Sequence, residues 1–349
     1  MIKRIFNAVD ERVKLLEIYR EHLSQYFVPA GLNIWYSMGA VLIVLFSIEI
    51  ITGIFLLIHY VPHTKEAFES VTHISNAVPA GWLIRRVHAI GANLFVLVLF
   101  LHMFSVLIMG SYKKPREIHW FVGCIILGVT LTTCLSGYLL PWSQLSYWAT
   151  TVATSFPGSI PVIGDWLVWF MRGSNPVSQE TLGRFFAMHV SLIPFTILIL
   201  TSIHIFVMRR TGISVPPWTD GTKKIPFFPH FVIEDLKVIY FFLAMLFIFV
   251  FFYPQISFPP DALDPADPLS TPAHIKPEWY FLANYQMLKL VPNEFLGIIL
   301  QGTVAFFIFF LPLLDRKEER RVWKRPIFGT IVFLGIIAFI ILTVWGHYS

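Results

Sequence analysis

The feature that most constrains this chain is its succession of seven long apolar runs, separated by segments that hold most of the charge. A helix of about 20 apolar residues spans a hydrocarbon core of about 30 Å, where only helices and closed barrels satisfy their backbone groups. The runs lie near 36–60, 87–109, 119–140, 185–208, 237–253, 296–314 and 327–346. The fifth is short and needs aromatic ends such as Tyr253 at the membrane interface. Only 13% of the 349 residues are charged, against about 25% in an ordinary soluble domain. A soluble enzyme and a disordered chain are excluded, and an all-α membrane protein is expected. The first strongly apolar run begins near Tyr36, behind an amphipathic charged stretch, so no signal peptide is read.

The net charge of +5 does not point to nucleic acid, because the basic residues sit in short segments between apolar runs. Nineteen of the 26 Lys and Arg fall in the N-terminal segment and in the second, fourth and sixth connections, counting Lys237, the first residue of the run after the fourth. The positive-inside rule puts that side, with the N-terminus, on the cytoplasmic or equivalent negative face of the membrane. The long loops 61–86, 141–184 and 254–295 are then outside, where long loops usually carry function. Residues 163–170, with Trp166, Trp169 and Phe170, read as an amphipathic helix on the membrane surface. A composition boundary of Gly, Pro and Lys near 212–230 suggests two units, 1–212 and 213–349. Cys124 and Cys134 are separated by about 15 Å of helix, too far for a disulfide. No Cys-x-x-Cys-His motif is present for covalent haem attachment.

Histidine inside a membrane span is costly and marks function. The second run carries His88 and His102, fourteen apart, which puts both on one face at a separation of about 21 Å. The fourth carries His189 and His204, fifteen apart, leaving them about 60° out of register. Pro194 lies between them and could bend the helix to correct the offset. The expected pairs are His88 with His189 near the outer face, and His102 with His204 near the inner face. Two imidazoles on facing helices can ligate an iron porphyrin from both sides. Gly39 and Gly53 on the first run, and Gly123 and Gly137 on the third, repeat the fourteen-residue interval. They leave room at the level of each haem. Arg85 is placed for outer-face propionates, and Lys113, Lys114 and Arg116 for inner-face ones. The expected architecture is a four-helix di-haem bundle followed by three further transmembrane helices, seven in total. Two stacked, non-covalent b-type haems form an electron path across the membrane, with a quinone as the natural membrane-soluble carrier.

Four segments carry a family resemblance: Gly81-Trp82-Leu83-Ile84-Arg85-Arg86-Val87-His88, Lys113-Lys114-Pro115-Arg116-Glu117, Gly137-Tyr138-Leu139-Leu140-Pro141-Trp142 and Pro277-Glu278-Trp279-Tyr280-Phe281. With them the chain resembles the cytochrome b subunit of cytochrome bc complexes from about residue 15 onward. The fifteen-residue interval from His189 to His204, the run Ile160-Pro161-Val162-Ile163-Gly164 and the seven-helix total resemble the chloroplast and cyanobacterial branch, here joined in one chain.

The resemblance implies a quinol–cytochrome c reductase subunit. Quinol is oxidised near the outer face, one electron passing to a Rieske iron–sulfur protein and the other through both haems to a quinone at the inner face. Glu278 would accept a quinol proton, with Tyr280 and Pro277 shaping the pocket. Arg209, and the N-terminal helix around Glu21 and His22, would serve the inner quinone. A c-type cytochrome, membrane lipid and a second copy of the complex are the implied partners. Two alternatives stay open: a di-haem membrane anchor of a dehydrogenase, and a plastoquinol–plastocyanin type complex. A cofactor-free transporter is the third, and it leaves the phased glycines unexplained.

Three positions depart from the family pattern. Ser37 stands where the chloroplast branch has a cysteine holding a further haem, which argues against a thioether-bound group. Glu49 stands where the family usually has glutamine, and is expected near the outer haem. Ala149 replaces a glycine of the mitochondrial type and is expected to crowd strobilurin-type inhibitors.

Overall fold

The computed structural model describes residues 1–272 and 275–349; the side chain of His22 lies outside the described residues. In chain order the helices begin with α1 (Ile2–Val13), α2 (Leu15–Tyr19), α3 (Met38–Leu57), α4 (Ala67–Asn76), α5 (Gly81–Ile108), α6 (Glu117–Leu139), α7 (Gln144–Ser155), α8 (Gly164–Arg172), α9 (Gln179–Ala187) and α10 (Ile193–Thr211). They continue with α11 (Val232–Phe252), α12 (Trp279–Leu290), α13 (Glu294–Phe309), α14 (Leu311–Leu314) and α15 (Pro326–Tyr348). The two short strands β1 (Phe27–Pro29) and β2 (Lys224–Pro226) pair antiparallel and tie the N-terminal segment to the connection after α10.

Among the described residues six helices are long and apolar enough to cross a membrane, and α13, at 16 residues, is a shorter apolar one. The sequence reading counts seven spans. Its sixth, 296–314, is interrupted at Phe310, after which Pro312 sits in the first turn of α14. The fifth is longer than expected, because α11 starts at Val232 rather than 237. Glu234 and Asp235 look like loop residues in sequence but occupy the first turn, where the helix dipole favours negative charge.

Much of the apolar surface of α3, α11 and α15 faces outward, as helices in lipid require. Without a hydrophobic drive between helices, close packing and internal hydrogen bonds hold such a bundle. One buried apolar core joins α3, α5 and α11, where Met38, Leu45, Val98, Leu246 and Val250 are buried. The first helix beyond residue 213 therefore packs directly on the first two spans. A second cluster, built on Leu139, Trp142 and Leu182, consolidates the end of the bundle that carries the long loops. There Pro141 follows the end of α6, and the Ser143 side chain with Ser146 forms a capping box that starts α7. Ser178 does the same for α9. As expected, α8 is a surface helix, with Trp166, Trp169 and Phe170 exposed.

The opposite end carries the basic connections and is locked by one buried carboxylate. Asp315 lies 2.9 Å from Lys113 Nζ and also bonds Arg325 Nη1 and the Tyr112 hydroxyl. Burial works to raise the Asp315 carboxyl, but hydrogen bonds from Tyr112, Lys113 and Arg325 hold it below the usual carboxylate range. Burial in turn pushes the Lys113 ammonium down. The pairing is decided at Asp315, which faces two cations. A lowered carboxyl contributes stability that is complete above its unfolded value and fades as pH falls through the folded one. The lock therefore holds at neutral pH. Asp315→Ala leaves Lys113 and Arg325 buried without their carboxylate, and a loss of roughly 3–5 kcal/mol is expected. Thermal denaturation in detergent measures it, and an unchanged midpoint would contradict the lock.

Candidate electron-transfer centre

The second and fourth spans bring their histidines together at two levels. The His88 and His189 rings lie 6.1 Å apart between centroids and are inclined by 86°. The His102 and His204 rings lie 6.5 Å apart at 69°. Two metal–nitrogen bonds of about 2 Å each, plus roughly 1 Å from each nitrogen to its ring centre, give about 6 Å. Both pairs fit two axial ligands of one iron.

The fifteen-residue interval on the fourth span is absorbed by a π-helical segment, Met188–Leu192, joining α9 to α10. A π turn takes one more residue than an α turn, so fifteen residues cover the rotation of fourteen. The Ile193 N–H closes the segment on Met188 O, immediately before Pro194, which has no N–H to offer. The register correction expected from a bend at Pro194 is thus made by the π segment, with His189 inside it.

Each glycine named from the sequence faces one of these imidazoles. A Cβ on Gly39 would lie 3.9 Å from His102 Cε1, on Gly53 3.3 Å from His88 Cε1, on Gly123 3.2 Å from His204 Cε1, and on Gly137 2.4 Å from His189 Cε1. The ring orientations are held from behind. His189 Nδ1 donates to Thr133 O at 3.0 Å. His88 Nδ1 lies 2.9 Å from Thr52 Oγ1, whose own hydroxyl donates to Ile48 O. With Nδ1 of both rings turned to these oxygens, a tautomer protonated there leaves Nε2 free for a metal.

Several buried polar atoms at the basic end have no partner among the described residues: His102 Nδ1, His204 Nδ1, His119 Nε2, Tyr36 Oη, Ser37 Oγ and Asp235 Oδ1. Buried polar groups are almost always bonded, so such a concentration marks where a polar group binds. His119, with its ring centroid 3.8 Å from that of His204, and Asp235 were not singled out in the sequence. His119 was readable only as one more histidine near a helix start, and Asp235 as a loop charge.

The cations expected at propionates are placed less uniformly. Arg85 bonds Ser75 Oγ at 2.7 Å, lies over the Phe258 ring, and lines a cavity of about 510 Å³ at the loop-rich end. Lys113 is committed to Asp315 and to the backbone carbonyls of Asp315 and Lys317. It is a fastening of the fold rather than an available cation. Arg116 donates to Gly212 O and Ile213 O. Arg209 stands over the rings of Tyr26 and Phe227. Glu21 is exposed.

At the loop-rich end, Pro277 and Glu278 lead into α12, with Glu278 at its N-cap and Tyr280 buried. Trp279 Nε1 donates to Asn93 Oδ1 at 2.9 Å, which fastens this segment to α5 one turn and a half beyond His88. Burial pushes the Glu278 carboxyl up to about 7.

Residues 23–212 match the family profile described as Cytochrome b/b6/petB, and residues 265–349 match Cytochrome b(C-terminal)/b6/petD. The chain belongs to the cytochrome b family. Cytochrome b of Allochromatium vinosum is 37% identical over 97% of this chain and 87% of its own length. Cytochrome b of Marchantia polymorpha is 38% identical, over 95% and 82%. A chain of a hyperthermophilic respiratory Complex III superposes with a TM-score of 0.93 at 38% identity, covering 98% of this chain and 91% of that one. As a cytochrome b of the bc1 type, this integral membrane protein binds two b-type haems and is a subunit of quinol–cytochrome c oxidoreductase.

Proposed function

We propose that His88 and His189 hold one haem near the loop-rich end, and that His102 and His204 hold the other near the basic end. The observation that carries this is the two imidazole pairs at bis-axial separation, each ring backed by a glycine. Bound there, the haems supply one-electron transfer along the membrane normal. The chain's own residues do the rest. Gly39, Gly53, Gly123 and Gly137 keep the flanking helices clear of the rings. Arg85 and Arg116 lie near the two ends, where they can meet propionates.

Quinol oxidation takes place at the loop-rich end, beside Pro277, Glu278 and Tyr280. One electron would leave to a Rieske iron–sulfur protein and thence to a c-type cytochrome, and the other would be accepted by the haems that the two histidine pairs would hold. Glu278 takes up a quinol proton and releases it outward. At the basic end a quinone is reduced, with Arg209 among the residues around it. The excess of Lys and Arg supports a cytoplasmic or equivalent negative side for that end and the N-terminus. Protons then leave on one face and are taken up on the other, which builds a gradient. The division into 1–212, which carries all four histidines, and 213–349, which carries the quinol motif, is functional in this reading. A homodimeric complex in an energy-transducing membrane is the assembly it implies.

A His102→Leu variant of the assembled complex tests the assignment. It is expected to retain one b-type haem per chain, still reducible by a quinol analogue, and to stop reducing quinone at the basic end. Retention of both haems would contradict the assignment.

A further inference from the structure

Glu49 lies in the interior of α3, one turn before Gly53. A carboxyl at such a depth is expensive and requires a reason. Its Oε2 lies 3.1 Å from His88 Nδ1, the nitrogen that Thr52 Oγ1 also approaches at 2.9 Å. The Thr52 hydroxyl donates to the backbone at Ile48 O and Glu49 O, so its oxygen and Glu49 Oε2 both stand beside the one ring nitrogen. A second feature shows that the place is built for the carboxyl. Gly91, three residues beyond His88 on the same face of α5, has space where its Cβ would stand 2.2 Å from Glu49 Oε1. Leu246 of α11, fully buried, closes the same spot. The other three imidazoles have no carboxyl beside them: His189 Nδ1 meets Thr133 O and the Ser136 hydroxyl, and His102 and His204 have no Nδ1 partner among the described residues.

We propose that Glu49 is a positioning residue for one haem only: with Thr52 it fixes the His88 ring and, through Nδ1, sets the reduction potential of the haem at the loop-rich end. The inference rests on the reading of His88 as an axial ligand. A hydrogen-bond acceptor on the far nitrogen raises the basicity of a ligating imidazole. A more basic ligand favours the oxidised metal. Gly91 is the counterpart that lets the carboxyl reach the ring.

The test is a redox titration of the b haems in the intact complex, with haem per chain counted in each variant. Glu49→Met removes the acceptor at nearly constant volume. One of the two midpoints is expected to rise, with the reduction equilibrium shifted about tenfold, ~59 mV for a one-electron couple. The other midpoint stays fixed. Glu49→Gln keeps an oxygen acceptor and holds the midpoint near the wild-type value, which a merely space-filling role would not distinguish from Glu49→Met. Gly91→Ala crowds the carboxyl and moves the same midpoint in the same direction. It also decides the matter if the Met variant fails to assemble. Two haems with both midpoints unmoved, equal movement of both, or loss of haem in all three variants would overturn the proposal. A His88→Leu variant that keeps both haems would overturn the ligand reading itself, a result separate from any of these.

Discussion

Gly137→Ala is expected to empty the haem site at the loop-rich end, whereas Gly39→Ala leaves both sites filled. The contrast follows from where a methyl group would stand. At Gly137 it lies 2.4 Å from Cε1 of His189 and 2.9 Å from both ring nitrogens. No real contact is that close, and the ring has little freedom to move, because Nδ1 is fixed on Thr133 O and the residue sits in a π segment. At Gly39 the nearest ring atom is 3.9 Å away, an ordinary van der Waals contact. Gly53 and Gly123, at 3.3 and 3.2 Å, are expected to be intermediate. Disturbing the support of a metal ligand typically costs about 10–100-fold in affinity. Optical difference spectra of the four alanine variants therefore rank Gly137 as most damaging and Gly39 as least. An equal loss at all four positions would mean that the glycines serve general helix packing.

Glu278→Gln is expected to slow quinol oxidation by about 10²-fold, at the lower end of what a positioned general base contributes. Burial pushes the Glu278 carboxyl up to about 7. A carboxyl raised in this way is neutral below that value and ionised above it. The wild-type kcat/KM should climb as pH rises through about 7, and the glutamine variant should lack that limb. Glu278 stands at the N-cap of α12 with no side-chain cap hydrogen bond, so turning its carboxyl breaks no capping contact. A glutamine variant that kept the limb would show that another group takes the proton.

Much of this arrangement was legible in the sequence, for reasons that particular residues make plain. The interval of fourteen residues is nearly a whole number of helical turns, so His88 and His102 had to share a face, and Gly39 with Gly53 had to share one too. The amphipathic pattern of 163–170 announced the surface helix α8. The π segment at Met188–Leu192 was not legible, because one extra residue in a turn leaves no compositional trace. The start of α11 was obscured by Glu234 and Asp235, whose charges suit a helix N-terminus as well as a loop. Lys113 read as a propionate cation because its partner, Asp315, lies some two hundred residues away in sequence. Pairings of that kind are set by tertiary packing alone. The contact between Glu49 and His88 belongs to the same class, although the departure at Glu49 was itself visible.

The most direct measurement is a pyridine haemochrome on the purified protein, combined with a redox titration of its α-band. Two b-type haems per chain, titrating as two one-electron components, is the result that the four-histidine arrangement predicts. A single haem, or none, would contradict it and return His88, His102, His189 and His204 to the packing of the bundle.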